Sequence, residues 1–339
     1  MNILVIKMSS LGDVIHALPV SYAIKETYPD AHLTWVVEPP FAPLVEMDTC
    51  VDEIIVFKKK EFRSVGGFLR EFSPLKKKIQ ARRYDYVLDL QGLFKSAAIA
   101  ALAKAPKGRK LGMWHMREGS KYVSRPVRGA HLHDHVIERY LDTARAIGCH
   151  AERVVFPLAV PEREQRNAAA LFRQAGASME NPYVALVVGA SWATKCWPAA
   201  HFAALADWLY EKNIVPVLIG SGAGEAQRAA EIAGKMEIPP VNLVGRCSLK
   251  ELTYLFQRAR AVVGGDTGPT HLACGLGTPT VMLMGPTFPR RTGPYGQTER
   301  LLVTPRPCKE CFARVCPKDL DCLAAITPEM VEEKLEKKG

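Results

Sequence analysis

A chain of 339 residues is longer than one ordinary domain and suits two of about 150 residues each. With 48% hydrophobic and 24% charged residues and no low-complexity tract, the composition excludes a disordered or fibrous protein. The formal net charge of +10 favours acidic partners: nucleic acid, an anionic membrane face, or small phosphorylated ligands.

The first half alternates short apolar runs with amphipathic stretches. Runs at 3–6, 33–37, 54–57 and 86–90 are rich in branched residues and predict strands. Apolar spacing predicts helices over 14–27, 67–82 and 94–103, and a further helix over 134–147 with Asp134 at its cap. The pattern weakens over 148–182, where Pro157 and Pro161 flank a polar helix, and this places a domain boundary. A second series follows, with strands at 183–188, 215–219, 241–244, 261–263 and 280–283. Helices at 198–212, 224–236, 248–257 and 270–274 separate them, with Pro198 expected at the first helical position. A last helix, 328–337, starts after Thr327-Pro328 and is expected to pack back on the first domain. Alternation of this kind implies two parallel sheets covered on both faces, each a doubly wound α/β domain. The expected layout is a first domain over 1–160, a second over 161–325 and a terminal helix over 326–339, the two domains opening toward a central cleft.

The opening apolar run is too short for a signal peptide, and the longest one, 97–103, falls well below the roughly 20 residues a membrane span needs. A cytoplasmic protein is expected, resting at most on a membrane. Nine cysteines in such a compartment argue against a disulfide framework. Much of the positive excess sits in Lys58-Lys59-Lys60 with Arg63, in Lys76-Lys77-Lys78 with Arg82-Arg83, and between Lys104 and Lys110. Each run equally describes a solvated face.

Four segments follow predicted strands and carry polar chemistry. Ser9-Ser10-Leu11-Gly12-Asp13 opens the first helix, where free N–H groups attract an anion. Asp13 suits the positive end of a helix dipole, and equally a general base at a strand end. Ser191, Thr194 and Lys195 precede a helix start and make a plausible diphosphate cradle, although the P-loop order is absent. Gly220-Ser221-Gly222-Ala223-Gly224-Glu225 offers close backbone approach, with Glu225 as a candidate for ribose hydroxyls. Asp266, Thr267, Gly268 and His271 cluster donors where phosphate charge would sit. Finally Cys308, Cys311, Cys316 and Cys322 have the chemistry for a structural zinc or iron, or for free thiols or a redox pair.

No dinucleotide fingerprint and no Tyr-x-x-x-Lys pair support an epimerase or dehydrogenase, and no recognition helix or zinc-finger spacing supports a nucleic-acid binder. The motifs instead resemble the bacterial heptosyltransferases of glycosyltransferase family 9. The matching segments are Lys7-Met8-Ser9-Ser10-Leu11-Gly12-Asp13-Val14, Asp89-Leu90-Gln91-Gly92-Leu93-Phe94-Lys95-Ser96, Thr194-Lys195-Cys196-Trp197-Pro198 and Asp266-Thr267-Gly268-Pro269-Thr270-His271-Leu272. Gly285-Pro286-Thr287 and Tyr295-Gly296 also match. Trp35-Val36-Val37-Glu38 and Gly112-Met113 lean toward members that add the first heptose to Kdo. Cys196 stands where the best-known members carry His, and the four-cysteine segment looks more like heptosyltransferase II or some protein heptosyltransferases, which act on a different acceptor.

That resemblance implies a GT-B fold, ADP-heptose as donor and a Kdo-lipid A acceptor at the cytoplasmic face of the inner membrane, with no nucleic-acid partner. It implies inversion at the anomeric carbon without a catalytic metal or other cofactor. Asp13 matches the general base and Lys195 the cation that meets charge on the departing ADP. Ser191, Thr194, Thr267, Gly268 and His271 would hold the diphosphate, with Asp266 and Glu225 also on the donor. Ser10, Gly12, Lys60, Arg63, Gln91, Lys95, Arg117 and Arg139 would serve the acceptor.

Overall fold

A computed structural model of the protein describes residues 1–337. The chain divides into two compact units, 1–159 and 160–339. In unit 1 the strands are β1 (Asn2–Ile6), β2 (His32–Val37), β3 (Glu53–Val56), β4 (Tyr86–Asp89), β5 (Lys110–Gly112) and β6 (Arg125–Pro126). Its helices are α1 (Leu11–Ala17), α2 (Pro19–Thr27), α3 (Ala42–Val45), α4 (Val65–Ile79), α5 (Phe94–Leu102) and α6 (Val136–Arg145). Unit 2 has strands β7 (Tyr183–Val187), β8 (Val215–Ile219), β9 (Val241–Asn242), β10 (Ala261–Gly265), β11 (Thr280–Met284) and β12 (Leu301–Val303). Its helices are α7 (Glu162–Gln174), α8 (Ala199–Glu211), α9 (Ala223–Ala233), α10 (Leu249–Arg258), α11 (Gly268–Gly275), α12 (Pro289–Thr292) and α13 (Pro328–Glu336).

Both sheets are parallel throughout, in the orders β3-β2-β1-β4-β5-β6 and β12-β11-β10-β7-β8-β9. Read from its own first strand, each unit has the Rossmann order 3-2-1-4-5-6. The sheet reverses direction between β1 and β4 in one unit and between β7 and β10 in the other, and ligands bind beyond the carboxyl ends of such neighbours. This rule locates the chemistry before any side chain is considered.

The central strands read as near-continuous apolar runs because helices cover both faces: all five residues of β7, of β10 and of β11 are buried. In unit 1, Leu4, Ile6, Val36 and Val87 pack with Leu75 and Ile79 of α4 and with Ile99 and Ala100 of α5. In unit 2, Val184, Leu186, Val263 and Leu283 pack with Phe202, Leu205 and Leu209 of α8. Each such side chain contributes roughly 1.5–3 kcal/mol over leaving it in water.

Four expectations change. The helix expected over 14–27 is two helices, because Pro19 cannot donate the bond that would continue α1 and instead opens α2. Residue His135, not Asp134, caps α6, accepting from the Ile137 N–H at 3.3 Å. Pro198 is the cap of α8, not its first turn. The terminal helix α13, expected on the first domain, packs on α8 and β11, and Val331 is fully buried in the core of unit 2.

Candidate active site

The loop after β1 is held from three sides. Backbone N–H groups of Met8 and Ser9 both donate to Gln91 Oε1 at 3.0 Å, tying the loop to the end of β4. The Lys95 ammonium donates to Ser9 Oγ at 2.8 Å and pairs with Glu38 at the end of β2. Asp13, in the first turn of α1, accepts from Ser10 Oγ at 2.8 Å and from Ser10 N at 3.2 Å. Ser10, Gly12, Asp13, Gln91 and Lys95 are therefore gathered at the reversal point of unit 1. The Asp13 carboxylate is half-buried, so it is oriented yet within reach of a ligand. A carboxylate so placed can accept a proton from a ligand hydroxyl.

Beneath this rim lie Lys7 and Asp89, which fall in matching segments without an expected role there, and Tyr140, which lies in none. Lys7, almost fully buried, donates to Leu90 O at 3.2 Å and to Tyr140 Oη at 2.8 Å, its ammonium 4.9 Å from the Tyr140 ring centroid. Asp89 is fully buried and accepts from Gln91 N, Gly92 N and Ser96 Oγ at 2.9–3.0 Å, building the turn that presents Gln91. Burial pushes its carboxyl above the usual value, against those hydrogen bonds and the charge of Lys7.

The other acceptor candidates are more dispersed. Arg139 donates to Asp134 O and lies 5.4 Å from the Trp114 ring, which in turn packs on Tyr140. Arg117 is exposed, and its N–H donates to Gly92 O beside Gln91. Lys60 and Arg63 are exposed in the turn after β3, two strands from β1, and no side-chain contact joins them to Asp13 among the described residues. All of these residues nonetheless leave the carboxyl edge of one sheet.

Unit 2 places a cationic seat at its own reversal point. Asp266, just past β10, is buried and accepts from three side chains: Lys195 Nζ at 2.8 Å, Thr287 Oγ1 at 2.6 Å and His271 Nε2 at 2.8 Å. Burial alone would raise its carboxyl; the His271 hydrogen bond and the charges of His271 and Lys195 outweigh it and hold Asp266 well below the ordinary carboxylate range. Asp266 thus stays ionised and fixes the lysine and the imidazole. Both of its oxygens serve in this positioning, Oδ1 toward His271 and Oδ2 toward Lys195 and Thr287. Lys195 also donates to Asp266 O at 3.1 Å and sits 4.5 Å from the Trp192 ring. With two of three N–H bonds committed, one remains for a ligand.

Two glycines make this assembly possible. A Cβ on Gly265 would stand 2.3 Å from Lys195 O, and one on Gly264 would stand 2.7 Å from Thr270 Oγ1 and 2.8 Å from Val187 Cβ. Their bare backbones let the lysine loop and α11 close on β10. Thr267 caps α11 and Gly268 is its first residue, followed by Pro269, so unbonded N–H groups end at the seat. Ser191 is exposed, whereas Thr194 is buried and donates to Ala313 O at 2.7 Å, a tether for the following loop. Glu225 accepts from Gly222 N at 2.8 Å and from Ser221 N, capping α9, and presses against Gly189, where a Cβ would stand 2.3 Å from Glu225 Cγ. The ribose expectation for Glu225 competes with that capping bond.

The cysteines do not form a centre. All nine are free thiols, and among the described residues no group of three or more His, Cys, Asp or Glu is arranged to hold a metal ion. Cys322 is buried under Gly285, where a Cβ would stand 2.5 Å from its Sγ, while Cys311 is exposed. Burial, then the neighbouring Cys311, Cys308 and Cys316, push the Cys322 thiol up to about 11. The metal reading of Cys308, Cys311, Cys316 and Cys322 finds no support.

Unit 1 thus holds a carboxylate at its reversal point, and unit 2 holds a cationic seat suited to an anionic ligand at its own. The sequence profile of glycosyltransferase family 9 (heptosyltransferase) matches residues 73–320, well over half of the chain. The chain is 31% identical to lipopolysaccharide heptosyltransferase 1 of Pseudomonas aeruginosa, over 99% of its own length and 97% of that protein's. The chain belongs to glycosyltransferase family 9.

Two solved family 9 enzymes carry the same architecture. The Escherichia coli heptosyltransferase WaaC with ADP aligns at a TM-score of 0.78 and 26% identity, covering 99% of both chains. The E. coli ADP-heptose heptosyltransferase II also aligns at 0.78 and 26%, covering 99% of this chain and 97% of its own. The two parallel six-stranded sheets are thus those of the GT-B heptosyltransferases, and the protein is a glycosyltransferase. The family 9 profile begins at residue 73 and takes in the Gln91–Lys95 turn and the whole unit 2 seat, while Asp13 falls within the longer match to the P. aeruginosa enzyme.

Proposed function

We propose that the protein transfers heptose from ADP-heptose to a Kdo hydroxyl of lipid A-linked Kdo, with inversion, at the cytoplasmic face of the inner membrane. Unit 2 binds the donor. The Lys195 ammonium, the Thr267–Gly268 end of α11 and His271 receive the diphosphate, and Ser191 and the Thr194 loop border it. Unit 1 binds the acceptor, with Gln91, Lys95, Arg117 and Arg139 nearest the loop after β1, and Lys60 and Arg63 farther along the sheet edge. Asp13 removes the proton from the Kdo hydroxyl as that oxygen bonds to the anomeric carbon. The bond from that carbon to the ADP oxygen breaks, and the departing charge is met by Lys195 and the helix end.

The observation that carries this reading is the Asp13 carboxylate, oriented by Ser10 at the reversal point of unit 1. The names of the relatives support the donor and the product class: WaaC is solved with ADP and with ADP-2-deoxy-2-fluoro heptose, and the P. aeruginosa relative is a lipopolysaccharide heptosyltransferase 1. A second reading, a heptosyltransferase II-like acceptor, has one observation in its favour: that enzyme's structure aligns as well as WaaC. Product mass after incubation with ADP-heptose and either Kdo-lipid A or heptosylated core separates the two. Replacing Asp13→Asn should lower turnover by roughly 100- to 10,000-fold, the usual worth of a general base, while calorimetric ADP binding stays unchanged. Full turnover in that variant overturns the assignment of the base.

A further inference from the structure

Unit 1 carries its charge unevenly. Residues 58–83 hold ten Lys and Arg against Glu61 and Glu71, a net +8 of the chain's formal +10. Lys58 pairs with Glu71 at 3.3 Å, and Arg70 pairs with Glu61 and Glu71. Among the described residues no acid is paired with Lys59, Lys60, Arg63 or Lys76 to Lys78, and all six are exposed.

Large apolar side chains stand in the same place. Helix α4 buries only Gly67, Leu75 and Ile79. Its first turns leave Val65 79% and Leu69 71% exposed, with Phe68 also exposed. A ladder of rings ties this surface to the core: Phe57, buried, packs on Phe62, Phe62 on Phe68, and Phe68 stacks on Phe72, with centroids 5.0–5.9 Å apart. The apolar residues are thus propped outward on a rigid support. Phe94, 69% exposed, opens α5, which shares the α4 face of the sheet and likewise starts at its carboxyl edge.

Cations around exposed Val, Leu and Phe match one kind of surface, in which anionic headgroups overlie hydrocarbon. A second copy of the chain would set +8 against +8, and a nucleic acid would account for the lysines but not for Val65 and Leu69. We propose that the first half of α4, with the 58–63 turn and Phe94, docks on an anionic lipid bilayer. Val65, Phe68 and Leu69 enter the headgroup boundary while Lys59, Arg63 and Lys76 to Lys78 meet lipid phosphates. This rests on the proposed lipid-linked acceptor for its purpose, and its test does not require that acceptor.

The test is flotation of the full chain with phosphatidylglycerol/phosphatidylcholine vesicles and with phosphatidylcholine alone. At least tenfold stronger binding to the anionic vesicles is expected. Binding should fall at least tenfold in Val65→Glu/Leu69→Glu and in Lys76→Glu/Lys77→Glu, with ADP affinity and melting temperature unchanged. No vesicle binding by the unaltered chain overturns the docking surface. Binding that survives Val65→Glu/Leu69→Glu overturns the apolar half of it, and equal binding to neutral vesicles overturns the charged half. Loss of transfer to a delipidated Kdo acceptor would instead strike the proposed reaction and leave the docking surface standing.

Discussion

Single side chains in this protein are governed by how many protons and lone pairs their neighbours can offer. Asp266 takes bonds from Lys195, His271 and Thr287 and stays charged. Asp48 is the opposite case. Ser21 Oγ lies 2.7 Å from Leu18 O and 2.6 Å from Asp48 Oδ2, yet a hydroxyl has one proton. Both contacts are satisfied when Ser21 donates to Leu18 and a protonated Asp48 donates to Ser21. Burial pushes the Asp48 carboxyl to about 7, against bonds from Ser21 and the Cys50 N–H. Its folded value lies above the unfolded one, so the native state binds more protons between about 4 and 7. The contribution of Asp48 to stability is full below about pH 4 and is lost as pH rises to 7, by up to about 4 kcal/mol. In Asp48→Asn that slope should vanish, and thermal melts from pH 5 to 8 will read it. Nothing in Glu46-Met47-Asp48-Thr49-Cys50 reveals this, because the burial comes from Pro157 to Ala159 returning to bond Met47 and Thr49. The placement of Asp13, Gln91, Lys195 and His271 past strand ends was legible because each falls in a recognisable motif; the bond of Lys7 to Tyr140 was not, since Tyr140 arrives from α6, 133 residues away.

Elements show the same division between local and long-range causes. Long apolar strands such as β7, β8 and β11 announce themselves, while β5, β6 and β12, only two or three residues each, are fixed by neighbours in the sheet and leave no pattern. The break between α1 and α2 fell inside one stretch of helical apolar spacing, with Pro19 as its only mark in the sequence. Gly264 and Gly265 look like ordinary strand-end glycines, yet the contact they permit decides where Lys195 stands. In Gly265→Ala the added methyl meets a backbone oxygen, which cannot rotate away, so the lysine loop must shift. A destabilisation of about 1–3 kcal/mol and at least a tenfold weaker ADP affinity are expected, by denaturant titration and calorimetry. The four cysteines show the limit of spacing as a guide, since Thr194 and Gly285 hold their loop with Cys322 turned inward.

At the scale of the whole chain, the terminal helix is part of unit 2. Val331 is fully buried, and Trp197, beside the lysine loop, donates to Ile326 O at 2.8 Å just ahead of α13. Val331→Asp buries an unpaired charge and should destabilise unit 2 by at least about 3 kcal/mol. Hydrogen exchange will locate the effect: amides of β7, β10 and β11 should speed up while those of β1 and β4 keep their protection. The amphipathic pattern of α13 was readable, but its partner was not, because α8 and β11 offer an apolar face only once folded.

Both units repeat one strand order, and each sets a charged side chain soon after its own first strand, Asp13 in the first turn of α1 and Lys195 in the loop after β7. Laid over one another, the halves would bring an acid and an ammonium to equivalent addresses on a common template. Under the proposed reaction each half can diverge separately: descendants that decorate a new sugar need alterations only before Val160, inheriting the nucleotide half as it stands.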